Sequence, residues 1–174
     1  MLIDLNLGYE NLLVKSFEQQ VLNQSIGAID VGVVIPPRSI NVYMEYLASL
    51  VHREYLTSLI EEKLQEKLIP TYCYVRKYFE GSTLNPHTDR ESCEIALSYC
   101  IQGVPWNIDI GGELMETKVG NGVLYKGHDT IHSRPTPAPS ETIQVFNHWV
   151  LKYGDNKSYA YDEGRNKEFY LCQQ

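Results

Sequence analysis

His87-Thr88-Asp89 sets an imidazole and a carboxylate two residues apart. On a strand, positions i and i+2 project from the same face. One imidazole and one carboxylate on one face are two corners of a 2-His-1-carboxylate site, the ligand set that holds non-haem Fe(II) with coordination positions left open. Alone, the tripeptide reads better as a histidine hydrogen-bonded to a turn aspartate. The third corner must come from downstream, where His128, His132 and His148 are available. His132 is the expected ligand, on a short strand segment from Ile131 to Arg134 that follows a glycine-punctuated turn. The pair His128 and His132 has the i, i+4 spacing of a helical zinc site. Gly127 before it and Pro135 after it argue against a helix, and no Glu follows His128 as in the HExxH pattern. His148 reads as a core or rim residue.

The elements that must position these groups change period along the chain. Residues 1–69 read as a helical preface. Leu12, Leu13, Phe17, Val21 and Leu22 recur near a 3.6-residue period between Glu10 and Asn23, and Pro36-Pro37 ends any strand in the stretch before them. Ser39 or Asn41 is expected to cap a long helix to about Leu68, with Val42, Tyr46, Leu50, Leu56, Leu59, Ile60, Leu64 and Leu68 as its buried stripe. Glu61-Glu62-Lys63 reads as a solvated face of that helix. After Pro70 the period becomes two. Strands are expected at Tyr72–Phe79, Glu94–Ile101, Trp106–Ile110, Glu113–Thr117, Gly122–Tyr125, Ile131–Arg134 and Thr142–Leu151, with glycine-rich turns between them. Ser82 to Pro86 reads as a loop, as does the proline-rich stretch Pro135 to Pro139. Seven short strands at near-regular spacing predict a double-sheet jelly roll or barrel. The expected fold is mainly β with N-terminal helices (α+β), the helices packed on one face. It is one domain over 1–174, with a β core at 70–152 and a C-terminal extension at 153–174.

A chain of 174 residues can bury a sizeable core without staples. Its 15 basic and 22 acidic residues leave a formal charge of −7, which argues against a nucleic-acid partner, since phosphate binding rests on clustered Lys and Arg. Cys73, Cys93, Cys100 and Cys172 form no CxxC pair and read as reduced, mostly packed thiols. No basic n-region opens the chain and no apolar run reaches the length of a membrane span, so a soluble, cytoplasmic protein is expected.

The text from Tyr74 through Asp89 runs Tyr-x-Arg-x-Tyr-x-x-Gly-x-x-Leu-x-x-His-x-Asp. There follow Glu94 to Cys100 in alternation, Gly111-Gly112-Glu113-Leu114, Gly120 to Tyr125, His132-Ser133-Arg134, and a closing strand Gln144 to Trp149. In this order of elements, over roughly residues 70–152, the chain resembles the 2-oxoglutarate- and Fe(II)-dependent dioxygenases, nearest in character to their prolyl-hydroxylase-like branch. The resemblance implies a double-stranded β-helix, cupin-like, with Fe(II) held by His87, Asp89 and His132. It implies 2-oxoglutarate as cosubstrate and O2 as oxidant, with hydroxylation of a C–H bond in a prolyl or other peptidyl residue, or in a small molecule.

In that branch a Lys or Arg about nine to eleven residues after the distal histidine grips the second carboxylate of the cosubstrate. Here those positions are Glu141, Thr142 and Ile143, and none is basic. Arg134 is the expected substitute: two residues past His132 on a strand, it lies on the same face, about 6.5–7 Å along, and its guanidinium can hold a carboxylate bidentately. Lys126 is the second candidate. Tyr78 and Tyr74 are candidate phenol donors to the cosubstrate, Tyr125 and Gln144 weaker candidates for the same wall. Arg90, directly after Asp89, is a weak candidate for the substrate side, with a surface ion pair to Glu91 or Glu94 as its alternative. Trp106 and Trp149 read as core. Two other classes compete: a cupin-type metal enzyme that uses no 2-oxoglutarate, and a barrel kept as a non-catalytic binding module. Oligomeric state is not legible.

Overall fold

The computed structural model describes residues 1–5, 7–8, 10–23, 28–30, 34–35, 39–42 and 55–160. Twelve strands and two helices are seen among them. In chain order they are β1 (Leu2–Asp4), α1 (Glu10–Asn23), β2 (Ala28–Asp30), β3 (Val34–Ile35), β4 (Ser39–Val42), α2 (Thr57–Leu64), β5 (Leu68–Tyr78) and β6 (Thr83–His87). Then follow β7 (Ile95–Gln102), β8 (Trp106–Ile110), β9 (Glu113–Thr117), β10 (Asn121–Tyr125), β11 (His132–Arg134) and β12 (Thr142–Leu151). Two sheets form: a seven-stranded one ordered β1-β10-β7-β12-β5-β4-β2 and a five-stranded one ordered β3-β6-β11-β8-β9. All their pairings are antiparallel. This is the jelly-roll architecture expected from the strand spacing, a double-stranded β-helix.

Alternation along the large sheet divides the side chains between two environments. Val75, Leu97, Tyr99, Ile101, Leu124, Ile143, Val145 and Trp149 face outwards and pack with Leu13 and Phe17 of α1 and with Leu56 and Ile60 at α2. Each such buried aliphatic or aromatic side chain contributes about 1.5–3 kcal/mol, so the helices are held by this face, as the expected one-sided packing requires. Trp149 adds a hydrogen bond from its indole N–H to Thr57 Oγ1, 2.8 Å, and Tyr99 donates to Glu10 at the start of α1. Residues of the other register, Tyr74, Tyr78, Phe146 and His148 among them, face the small sheet and enclose the cavity.

Several expectations are corrected. Residues 1–69 are not a helical preface: β1, β2 and β4 extend the large sheet and β3 the small one. Ser39 and Asn41 cap no helix, because Ser39–Val42 pairs with β5 as a strand, and the described helix near Leu68 covers only Thr57–Leu64. Residues 43–54 lie outside the described set, as do 161–174 of the expected C-terminal extension. Glu61 is more than a solvated face, for its carboxylate accepts from Lys67 Nζ at 2.7 Å and from the Leu68 N–H at 2.9 Å, tying the end of α2 to β5. β5 begins at Leu68, ahead of Pro70, and Pro70 is tolerated beside a register shift in β12. Thr83–His87 is a strand, not a loop, paired to both β3 and β11. The Pro135 to Pro139 stretch does run without regular structure, clipped to the β5–β6 turn by Gly81 N–H to Ala138 O and Ala138 N–H to Ser82 O, both 2.8 Å.

Among the described residues no helix is long and apolar enough to cross a membrane.

Candidate metal centre and its cavity

His87 ends β6 and His132 begins β11, and the two are direct partners across the antiparallel pair. Their rings stand 4.3 Å apart between centroids. Each commits Nδ1 to a carbonyl two residues earlier, His87 to Asn85 O at 2.7 Å and His132 to Thr130 O at 3.0 Å. As N–H donors there, both rings present Nε2 as the lone-pair nitrogen, the outer-sphere arrangement that orients metal-bound histidines. Those nitrogens converge on Asp89: His87 Nε2 lies 3.8 Å from Oδ1 and His132 Nε2 3.5 Å from Oδ2. One ligand atom from each residue falls within 4.8 Å of the others. This donor set fits a divalent transition metal. Burial lowers the His132 pKa against the opposing pull of Asp89, so that ring is a neutral donor at pH 7.

Asp89 does not share a strand with His87, as the i, i+2 reading expects. The strand stops at His87, and Asp89 is placed by a tertiary bond, its N–H donating to Gly127 O at 2.9 Å. Gly127 is required there. A Cβ at that position would stand 2.6 Å from Asp89 Oδ2 and 2.7 Å from Cys93 O, so the absence of a side chain lets the loop press on the ligand. His128 is not one of the converging ligands: its Nδ1 is buried without a partner.

The triad opens into a cavity between the sheets, walled by Tyr74, Arg76, Tyr78, Leu84, Ile108, Tyr125, Arg134, Phe146 and His148. Asp89 is the one acid in this wall. Arg134, 0% exposed, is fully buried. Its Nη1 donates to Trp106 O at 3.2 Å, Asn107 O at 3.4 Å and Thr117 Oγ1 at 3.2 Å, and its guanidinium carbon sits 4.3 Å from the Trp106 ring centroid. Nε and Nη2 have no hydrogen-bond partner. Burial lowers the Arg134 pKa, yet a guanidinium stays charged at neutral pH. A buried cation held only by neutral acceptors and a ring is costly until an anion joins it.

The other expected residues divide cleanly. Tyr78 and Tyr74 stand in the wall, and Tyr78 Oη accepts from Arg76 Nη1 at 3.2 Å. Burial pushes the phenols of Tyr74 and Tyr125 well up, so both remain donors. Gln144 is 0% exposed and not among the lining residues; its carbonyl accepts from Ser98 Oγ at 3.4 Å and its Nε2 has no hydrogen-bond partner. Lys126 is exposed and outside the wall, which removes it as an alternative to Arg134. Arg90 is not among the residues of the wall; its guanidinium lies 4.8 Å from the Tyr72 ring centroid. Glu141, in the window without a base, pairs with Lys77 at 2.8 Å. Trp106 and Trp149 are buried as expected.

Sequence reasoning missed Arg76 as a wall residue. The signal was present, since Arg76 alternates with Tyr74 and Tyr78 on one strand face. Gly127 was read only as punctuation, and nothing local marks its contact with Asp89.

No protein-family profile matches the chain, and no curated protein matches it. Solved structures do. The viral collagen prolyl hydroxylase of Paramecium bursaria Chlorella virus-1, solved with 2-oxoglutarate, superposes with a TM-score of 0.61 at 13% identity, over 86% of this chain and 94% of that one. A prolyl-4-hydroxylase of Pseudomonas putida gives 0.60 at 12% identity, over 80% and 84%. The non-haem α-ketoglutarate-dependent epimerase SnoN of nogalamycin biosynthesis gives 0.62 at 11%, over 84% and 74%. The chain therefore carries the double-stranded β-helix fold found in these prolyl hydroxylases and in other 2-oxoglutarate- and Fe(II)-dependent oxygenases.

Proposed function

We propose that this protein is a non-haem Fe(II) dioxygenase that couples oxidative decarboxylation of 2-oxoglutarate to hydroxylation of a substrate C–H bond. The observation that carries the reading is the placing of a His-Asp-His triad and an un-neutralised, fully buried guanidinium in one cavity wall. The buried guanidinium favours this reading, since it calls for an anionic ligand beside the metal, which neither a metal enzyme without an anionic cosubstrate nor a binding module requires.

His87 Nε2, His132 Nε2 and the Asp89 carboxylate are the residues to hold Fe(II), fixed by their bonds to Asn85 O, Thr130 O and Gly127 O. With 2-oxoglutarate and O2, iron bound in such a triad supplies an oxidant that hydroxylates C–H bonds, leaving succinate and CO2. Arg134 binds the distal carboxylate of the cosubstrate through Nε and Nη2, and Tyr78 adds its hydroxyl at the same end. Leu84, Ile108 and Phe146 exclude water from the path between. Tyr74 and Tyr125, kept protonated by burial, donate hydrogen bonds without ionising. A prolyl or other peptidyl side chain is the first substrate class to try, in keeping with the activity named for two of the structural neighbours. A small molecule is the second, as for the nogalamycin-biosynthesis epimerase SnoN.

The test is anaerobic titration of Fe(II)-loaded protein with 2-oxoglutarate, following the weak visible charge-transfer absorption of a chelated 2-oxo acid. A saturable band supports the reading. Iron bound with no band at any concentration overturns it.

A further inference from the structure

Asp89 also belongs to a second group of donor side chains. Cys93 Sγ, a ring nitrogen of His148 and a carboxylate oxygen of Asp89 all lie within 4.8 Å of one another. Cys93 closes the short 3-10 turn Glu91–Cys93, held by its N–H on Arg90 O at 2.9 Å, and its carbonyl receives the His128 N–H at 3.2 Å. Its thiol is 1% exposed and meets Tyr72 Oη at 3.1 Å. His148 comes from β12, its ring stacked on Tyr72 at 4.5 Å and 25° and 5.9 Å from Tyr74.

His148 also repeats the arrangement of the two histidines of the triad. Its Nδ1 lies 3.2 Å from Tyr72 O, which assigns the proton there and turns Nε2 into the lone-pair nitrogen. Three histidines near one carboxylate are thus oriented by backbone carbonyls. A thiol, an imidazole and a carboxylate at tetrahedral reach are the donor set of a thiophilic divalent cation. A single carboxylate can bridge ions roughly 3.5–4 Å apart.

We propose that Asp89, Cys93 and His148 form a second metal site, for Zn²⁺ or a cation of similar softness, that shares the Asp89 carboxylate with the His87–Asp89–His132 site. It rests on the iron reading only for the identity of the first ion. Three protein ligands leave one tetrahedral position for water. Because both ions draw on one carboxylate charge, filling either site weakens the other, and the effect is reciprocal. The second site thereby lets a thiophilic metal turn down the first.

The probe is Co²⁺, titrated anaerobically into the whole chain, with thiolate-to-cobalt absorption in the near ultraviolet reporting on Cys93 and equilibrium dialysis counting ions. The expected result is a thiolate band with two ions per chain. Cys93→Ser should lose the band and one ion. His148→Gln should also drop to one ion. The double variant His87→Ala/His132→Ala should keep the band. One ion per chain with no thiolate band, unchanged by Cys93→Ser and lost in the double variant, overturns the second site and leaves the iron site standing. A single ion with a band that survives in the double variant supports the second site and removes the first. No binding in any variant overturns both.

Discussion

The two ends of the cavity solve the problem of buried charge in opposite ways. At the metal end every polar group has its orientation fixed in advance: two imidazoles are tied to carbonyls, and the carboxylate is held through its own backbone. At the far end Arg134 is buried with two of its three nitrogens unpartnered. The buried thiols beside them report the local sign of charge. Burial pushes the Cys93 thiol up to about 12, with Asp89 adding to the rise. Burial pushes Cys100 up to about 11, and there Arg134 pulls it back. One end is preorganised for a cation and the other is a cation waiting for its anion. A divalent metal completes the first, and an anionic ligand that reaches from it to Arg134 completes the second.

The sharpest way to break this contrast is at the metal end. His132→Ala, Asp89→Ala or His87→Ala should each abolish tight binding of Fe(II) or Mn(II) and iron-dependent turnover. Isothermal titration would show it, and near-normal affinity in any one of them removes that residue from the ligand set. Gly127→Ala tests whether a backbone contact places the carboxylate. The added Cβ must displace Asp89 or the Cys93 carbonyl, so metal affinity should fall while circular dichroism stays that of the parent. At the other end, Arg134→Met should raise the 2-oxoglutarate KM tenfold or more, since a hydrogen bond to a charged group contributes about 1.5–3 kcal/mol, with Mn(II) affinity little changed. An unchanged KM would pass the carboxylate to Arg76 or to neutral donors. Arg134→Lys, which keeps the charge and loses the fork, should fall between.

The smallest effect is on pH-dependent stability. Both thiols have folded pKa values above the ordinary value of about 8.5. The unfolded chain therefore releases these protons first, and their stabilisation is complete below pH 8.5 and lost as pH rises through 11–12. Thermal melts between pH 8 and 11 should show a decline that Cys100→Ser makes shallower. An identical slope in the variant would mean that Cys100 ionises as readily folded as unfolded.

What could be read from the chain, and what could not, follows from the range of the interactions. The convergence of His87, Asp89 and His132 was legible through the order of elements that carries the resemblance, the His-x-Asp tripeptide being common by itself. The place of Arg134 in the same cavity as His132 was legible from strand geometry, two residues apart on one face, once the resemblance called for a base. Ser39–Val42 was misread because Val42, Tyr46 and Leu50 satisfy a helical spacing, while its strand state depends on pairing with β5. Thr83–His87 carries no alternation that marks a strand, and its strand state comes from partners that the small sheet supplies on both sides. The grouping of Cys93 with His148 was invisible, since it exists only once β12 lies beside β7 with His148 opposite Ala96.

That last placement also bears on how the chain folds. β12, the last strand among the described residues, is not an edge but lies between β7 and β5 in the middle of the large sheet. β5 and β7 therefore have no ladder with each other to form early, and each waits for a segment made long after both. On the ribosome, a chain that has emerged only to residue 141 holds two apolar strands with exposed pairing edges on either side of a gap. Such open edges recruit other chains, and closure by non-local pairing is slow. The insertion of Thr142–Leu151 is then the step that commits the molecule, and truncations before it should yield aggregates rather than a smaller folded domain.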